Sequence, residues 1–107
     1  MLTSQQLHDI VDRLVRRFDP ERIILFGSYA RGEAREDSDV DLLVVADTDL
    51  PPRERFPAVR RLLGDYPAAF DIFLKTPEEY SRWRSVVNHI VYFADKYGKV
   101  VHERTNA

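Results

Sequence analysis

The sequence predicts an α+β domain with a small mixed β-sheet and helices packed on one face. Segments with helical spacing of apolar residues alternate with short apolar or alternating runs, in the order helix, strand, short helix, strand, helix, strand, helix, strand. The run from Asp39 to about Ala46 is apolar on both faces beyond its acidic start, as a central strand is. A length of 107 residues suffices for one domain with a modest core and leaves no room for a second, so residues 1–107 are read as a single domain.

The first helix is predicted from about Ser4 to Arg17. Thr3 and Gln6 have the form of a capping box, and Leu7, Ile10, Val11, Leu14 and Phe18 recur at helical spacing. Arg13, Arg16 and Arg17 fall near its end, where cations suit the helix dipole, and otherwise read as a solvated face. Asp19 and Pro20 break the helix. Ile23 to Phe26 then reads as a short buried strand, followed by Gly27 and Ser28 and a short helix beginning over Ser28 to Arg31. Gly32 to Ser38 is polar and reads as a loop or fraying helix end across the mouth of a cleft. Beyond the central strand and a turn-rich connection, Phe56, Val59, Leu62 and Leu63 predict a helix whose regular part starts near Pro57 and closes at Gly64. Ala69 to Lys75 is a strand with Phe70, Ile72 and Leu74 on one face and Asp71 beside Phe73 on the other. Thr76, Pro77, Glu78 and Glu79 open a last helix with a capping box, and its aromatic and aliphatic stripe from Tyr80 to Tyr97 reads as core. Gly98 ends it, and Lys99 to Glu103 is the final strand.

The chemistry concentrates between Phe26 and Val45. Gly27 has no Cβ, so a triphosphate can approach the backbone, and Ser28 adds a hydroxyl. The free amides and positive dipole end of the short helix point at the same anion. Asp39 and Asp41 share one face of a strand, about 7 Å apart by strand rise. Carboxylates so placed suit a hard cation such as Mg²⁺, which one or two carboxylates hold together with substrate phosphates. Alone, two alternating acids at a strand start are ordinarily solvated, and Gly-Ser after a strand is ordinarily a turn. Both together, in this order and each at a strand end, point to a site. Arg31 and Arg35 lie close enough in sequence to help neutralise a triphosphate. Asp71 is either at a sheet edge, or paired with an arginine, or beside Asp39 and Asp41 as a third carboxylate around metal. His8, His89 and His102 have no ligand spacing and are not nominated.

This pattern resembles the signature of the DNA polymerase β-like nucleotidyltransferase superfamily. Gly-Ser-Tyr-Ala-Arg-Gly followed by Ser-Asp-Val-Asp-Leu-Leu-Val is similar to its small prokaryotic branch, the minimal nucleotidyltransferases. The resemblance implies a nucleotidyltransferase-like fold, ATP as donor and AMP as the transferred group. It implies Gly27 and Ser28 on the β- and γ-phosphates; Arg31, nominated by its closeness in sequence, joins them in the nucleotide-binding set. It places two Mg²⁺ on Asp39, Asp41 and Asp71, the last also placed to take the acceptor's proton. It further implies an antitoxin paired with an HEPN-domain ribonuclease toxin, with a tyrosine of that toxin as acceptor. A chain this short has no helical domain of its own to hold an acceptor, which agrees with one brought by another protein.

Composition narrows the partners. There is no cysteine, no apolar run of membrane-spanning length and no positive-then-apolar leader pattern, so a cytoplasmic protein is expected. The net charge of −2, with acids and bases interspersed, makes nucleic acid a poor partner. Leu43, Val45 and Phe73 share the acidic face, and a second copy or a partner chain is expected to cover part of it. Three functions stay open: an enzyme that adenylylates its partner, a module that silences the partner by occlusion with a vestigial site, and nucleotidyl transfer to a small-molecule hydroxyl.

Overall fold

In the computed structural model, which describes residues 2–105, the sheet is organised around β2 (Val40–Val45). β2 pairs antiparallel with β1 (Arg22–Phe26) and parallel with β3 (Phe70–Lys75); β4 (Lys99–Glu103) lies antiparallel to β1 on its other side. The order is therefore β3-β2-β1-β4, a mixed sheet with β3 and β4 at its edges. Because β2 and β3 run parallel, the chain must cross back between them, and α3 (Pro52–Leu63) makes that crossover.

α1 (Ser4–Phe18) begins as its sequence predicts: the Gln6 amide donates to Thr3 Oγ1 at 3.0 Å and the Thr3 amide donates to Gln6 Oε1 at 2.9 Å. It ends where Asp19 takes a left-handed conformation, φ 45°. α1 and α3 cover one face of the sheet. Ile10, Leu14, Ala58, Val59 and Leu63 pack there on Ile23, Leu25, Val40, Leu42, Val44, Ile72 and Leu74. Arg13 ties the two helices together, bonding Asp65 at 2.6 Å and the Leu62 carbonyl at 3.2 Å.

Two boundaries differ from the sequence reading. α3 starts at Pro52, and Pro57 lies inside it. Pro57 removes one amide from the helical ladder, but its turn faces solvent, where the orphaned carbonyl stays hydrated. Arg55 holds the first turn down: Nε donates to the Leu50 carbonyl at 3.0 Å, and Nη1 to the Leu74 carbonyl at 3.1 Å and to Glu79 Oε1 at 2.6 Å. The second difference is that the last helix is two helices, α4 (Pro77–Trp83) and α5 (Ile90–Tyr97). Asn88 between them is left-handed at φ 73°, and the His89 ring accepts from the Val91 amide at 3.1 Å while stacking on Trp83 at 4.5 Å. Val86 and Val87 continue the apolar count through this turn, which is why periodicity alone hides it. They are 41% and 64% exposed, and Phe93 and Tyr97 are exposed as well, so much of the stripe is surface rather than core.

The same break changes what covers the second face. α5, with Tyr80 of α4, folds over β1 and β2 and packs Val91 and Ala94 on Ile24, Phe26, Leu43 and Val45. Leu43 and Val45 are 1% and 2% exposed, so this chain covers them itself and no partner is required there. Gly98 permits the close approach, since a Cβ on it would strike the Ile24 side chain and the Ala94 carbonyl. Among the described residues no helix is long and apolar enough to cross a membrane.

The Arg55–Glu79 pair is the most enclosed ion pair in the chain among the described residues, and Glu79 also accepts from the Thr76 amide at 2.8 Å. Glu79 is held below the usual carboxylate range: its burial acts in the opposite sense and is overcome by the Thr76 amide and the Arg55 guanidinium. Arg55→Ala is therefore expected to destabilise the fold by about 3 kcal/mol, because it leaves the enclosed Glu79 charge without a cation and removes the Arg55 bonds to the Leu50 and Leu74 carbonyls. Urea denaturation measures this, and an unchanged midpoint would contradict it.

Candidate active site

The site is built where β1 ends. Phe26, the last residue of β1, lies opposite Asp41 in the antiparallel register. Gly27 follows at φ 72°, in the left-handed region, and opens α2 (Gly27–Arg31), which closes at Gly32 with φ 71°. A Cβ on Gly27 would collide with Asp41 Oδ2. Glycine is thus required twice over, by its backbone angle and by a carboxylate in the space a side chain would fill. The second requirement went unread in the sequence, which assigned that space to phosphate alone. α2 has no side-chain cap, so the amides of its first turn have no side-chain acceptor among the described residues, and Ser28 is half-buried in that turn.

Asp41 and Asp71 are partners in the parallel β2–β3 register, so their side chains leave the same face of the sheet side by side. Asp71 is exposed and β3 is an edge strand, so an acid in an otherwise apolar strand carries no burial penalty there. Asp39 stands one residue before β2 and is exposed. Asp41 is half-buried and its carboxyl is pushed up to about 6, first by burial, then by repulsion from Asp71 and Asp39 and by a hydrogen bond shared with Asp71. The Arg31 guanidinium opposes that rise, which places its charge near Asp41 although it also pairs with Glu33 at 3.2 Å. Arg35 is exposed in the loop, where its amide donates to Ser38 Oγ at 2.8 Å. Phe26 and Phe73, with ring centroids 6.2 Å apart, form an apolar floor on the same face. The sequence reading placed Phe73 on this face but did not single out Phe26, although it directly precedes Gly27.

The acids lie on an open surface. The larger concavities are elsewhere, one of about 580 Å³ between α3 and β3 and one of about 470 Å³ between α1 and β4. Among the described residues no three acidic or histidine groups are already drawn together as a complete metal cage. The donor set still suits Mg²⁺: it consists of carboxylates only, two of them adjacent, and this cation is commonly held by one or two carboxylates with substrate phosphates completing the shell. A cation between Asp41 and Asp71 also relieves the repulsion that raises Asp41.

The elevated Asp41 gives a test independent of catalysis. Its folded-state value lies above the 3.8 of an ordinary aspartate, so folding takes up a proton and stability falls as pH rises through the window from 3.8 to about 6. The shift corresponds to roughly 3 kcal/mol unscreened, and for a half-exposed group to about 1 kcal/mol. Asp41→Asn, which keeps the shape and removes the charge, is expected to raise the metal-free melting temperature at pH 7.5 and to flatten that pH dependence. A lowered melting temperature would contradict it.

Known proteins share the sequence pattern and the fold. The family model of the nucleotidyltransferase domain matches residues 7–99. The chain is 34% identical over 100 residues to the protein adenylyltransferase MntA of Thermococcus cleftensis, covering 86% of this chain and 97% of that protein. Its fold is similar to that in the crystal structure of a toxin-antitoxin with AMP-PNP, with a TM-score of 0.65, 23% identity, and coverage of 90% of this chain and 73% of the other. A mutant form of the MntA-HpeT toxin-antitoxin gives a TM-score of 0.66 at 19% identity, covering 91% of this chain and 72% of the other. On a family match over residues 7–99, and on a relative aligned over nearly its whole length, this chain belongs to the nucleotidyltransferase domain family as a homologue of MntA.

Proposed function

We propose that this protein is a Mg²⁺-dependent nucleotidyltransferase that moves AMP from ATP to a hydroxyl of a partner toxin, an HEPN-domain protein modified on a tyrosine, and neutralises it as the antitoxin of the pair. The observation that carries the reading is the register pairing of Asp41 with Asp71 against the Gly27 corner, with Asp41 held in an electrostatically unfavourable place. A pure binding surface has no use for crowded acids, whereas a phosphate-metal site does. The likeness to MntA and the AMP-PNP of the similar toxin-antitoxin structure support a protein acceptor and an adenine nucleotide donor. Both ATP and Mg²⁺ are plentiful in the cytoplasm, where we place the reaction.

In this reading the Gly27 and Ser28 amides and the Ser28 hydroxyl hold the β- and γ-phosphates at the start of α2. Arg31 turns from Glu33 toward the triphosphate, an exchange of one exposed anion for another. The acceptor oxygen attacks the α-phosphorus, a new P–O bond forms, the bond to the bridging oxygen breaks, and pyrophosphate leaves. The proton of the acceptor hydroxyl passes to the Asp71 carboxylate, which is exposed and lies on the side of Asp41 away from Gly27. Asp39, Asp41 and Asp71 would hold two Mg²⁺, which supply charge neutralisation of the triphosphate and acidification of the acceptor hydroxyl.

The test is incubation of the protein with α-labelled ATP, Mg²⁺ and the co-expressed toxin. Label on the toxin is expected. Asp39→Asn with Asp41→Asn should lower it by at least about a hundredfold, and Asp71→Asn by a similar factor through loss of the base. Labelling at limiting Mg²⁺ should also fall as pH drops below about 6, because protons compete for Asp41. Full neutralisation of the toxin by the Asp39, Asp41 double variant, with no label from either protein, would make the chain an occluding binder instead. Label on a small-molecule hydroxyl but not on the toxin would redirect the reading to that acceptor.

A further inference from the structure

We infer that the edge of β3 and the groove beside it receive an extended, acidic segment of the acceptor polypeptide as an added strand, delivering its hydroxyl residue to Asp71. The inference rests on the transfer reading above and specifies how the acceptor is held. The two edges of the sheet differ. On β4 the register shifts between Ile23 and Ile24, leaving Val101 bulged, and bulges blunt an edge against further pairing. β3 pairs without irregularity over all six residues from Phe70 to Lys75.

The Val40 amide bonds the Ala69 carbonyl and the Ala46 amide bonds the Lys75 carbonyl, each at 2.9 Å. By alternation, Asp71 and Phe73 turn their backbone groups to β2 as well, and Phe70, Ile72 and Leu74 turn theirs outward. Arg55 occupies the Leu74 carbonyl, which leaves the Phe70 and Ile72 groups facing the groove. That groove, about 580 Å³, runs between α3 and β3 and includes Phe56, Arg60, Arg61, Phe70 and Ile72 in its lining. Arg60 and Arg61 are exposed and stand in no ion pair among the described residues; Phe56 is 53% exposed.

A strand added here alternates like any other. Side chains on the α3 side meet two unpaired guanidinium groups and an apolar ring, which selects acidic and apolar residues. Side chains on the opposite face stand next to Asp71, at about 5 Å for directly neighbouring residues. A hydroxyl residue flanked on each side by an acid satisfies both faces at once, and main-chain bonds to Phe70 and Ile72 fix its position along the strand.

Amide NMR on the intact protein tests this with two peptides, acetyl-Val-Glu-Tyr-Glu-Val-amide and its counterpart with lysine in place of glutamate. The acidic peptide is expected to shift the Phe70 and Ile72 amides, and the lysine peptide is not. Arg60→Glu with Arg61→Glu should weaken the acidic peptide by about tenfold, while Arg104→Glu at the opposite sheet edge should leave it unchanged. Silent β3 amides at millimolar peptide, or shifts confined to the α1–β4 groove or α5, would overturn the inference. So would β3 shifts that depend on protein concentration alone, which would assign the edge to a second copy. Transfer of label from ATP to the toxin is read separately, so loss of that activity would sink the transfer reading, and a silent β3 beside intact activity would sink only this one.

Discussion

The arrangement rests on one constraint: two aspartates side by side on parallel strands, one of them pressed against a glycine with a positive φ. An antiparallel β2–β3 hairpin would need only a short turn, but the register that sets Asp41 beside Asp71 is parallel and requires the α3 crossover. α3 in turn depends on Arg55, which joins its first turn to the end of β3 and to the capping residue of α4. The most enclosed ion pair and the functional face are therefore two ends of one mechanical path through β3.

The site is costly in the folded chain and is supported from elsewhere. Asp41 is repelled by its neighbours, Gly27 sits in a backbone region few residues adopt, and the acids stand above an apolar floor of Phe26 and Phe73. Against this, each face of the sheet has its own core, with Ile10, Leu14, Leu42 and Val44 fully buried on one side and Val91 and Ala94 on the other. Burying one branched aliphatic side chain contributes about 1.5–3 kcal/mol, more than the roughly 1 kcal/mol by which burial and neighbouring charge disfavour the Asp41 carboxylate. A few well-packed residues thus carry a site that is unfavourable in the unliganded chain.

Much of this was legible in the chain. Capping boxes at Thr3 and Thr76 set two helix starts to the residue, because their signal is local and chemical. The alternation in Asp39 to Val45 and in Phe70 to Lys75 set which side chains share a face, since the strand period is fixed. What periodicity missed was decided by tertiary contact. Arg55 reaching Leu50, Leu74 and Glu79 lets α3 begin before Pro57, and the Trp83–His89 stack breaks an apolar stripe that reads as one helix. The break then allows α5 to cover Leu43 and Val45, for which periodicity alone offers no cover within the chain. The neighbourhood of Asp41 and Asp71 was suggested by sequence, but only the parallel register makes it a geometric fact. The contact between Asp41 and the missing Gly27 side chain had no sequence signal at all.

The coupling of Asp41 to Asp71 is tested most directly by a carboxyl-carbon NMR titration of the aspartates in the metal-free protein, repeated with Asp71→Asn. Asp41 is expected to titrate near 6 in the wild type and to move back toward 3.8 when its neighbour loses its charge. An Asp41 that titrates with the ordinary surface aspartates, and that ignores the change at position 71, would show that the two groups do not share a site.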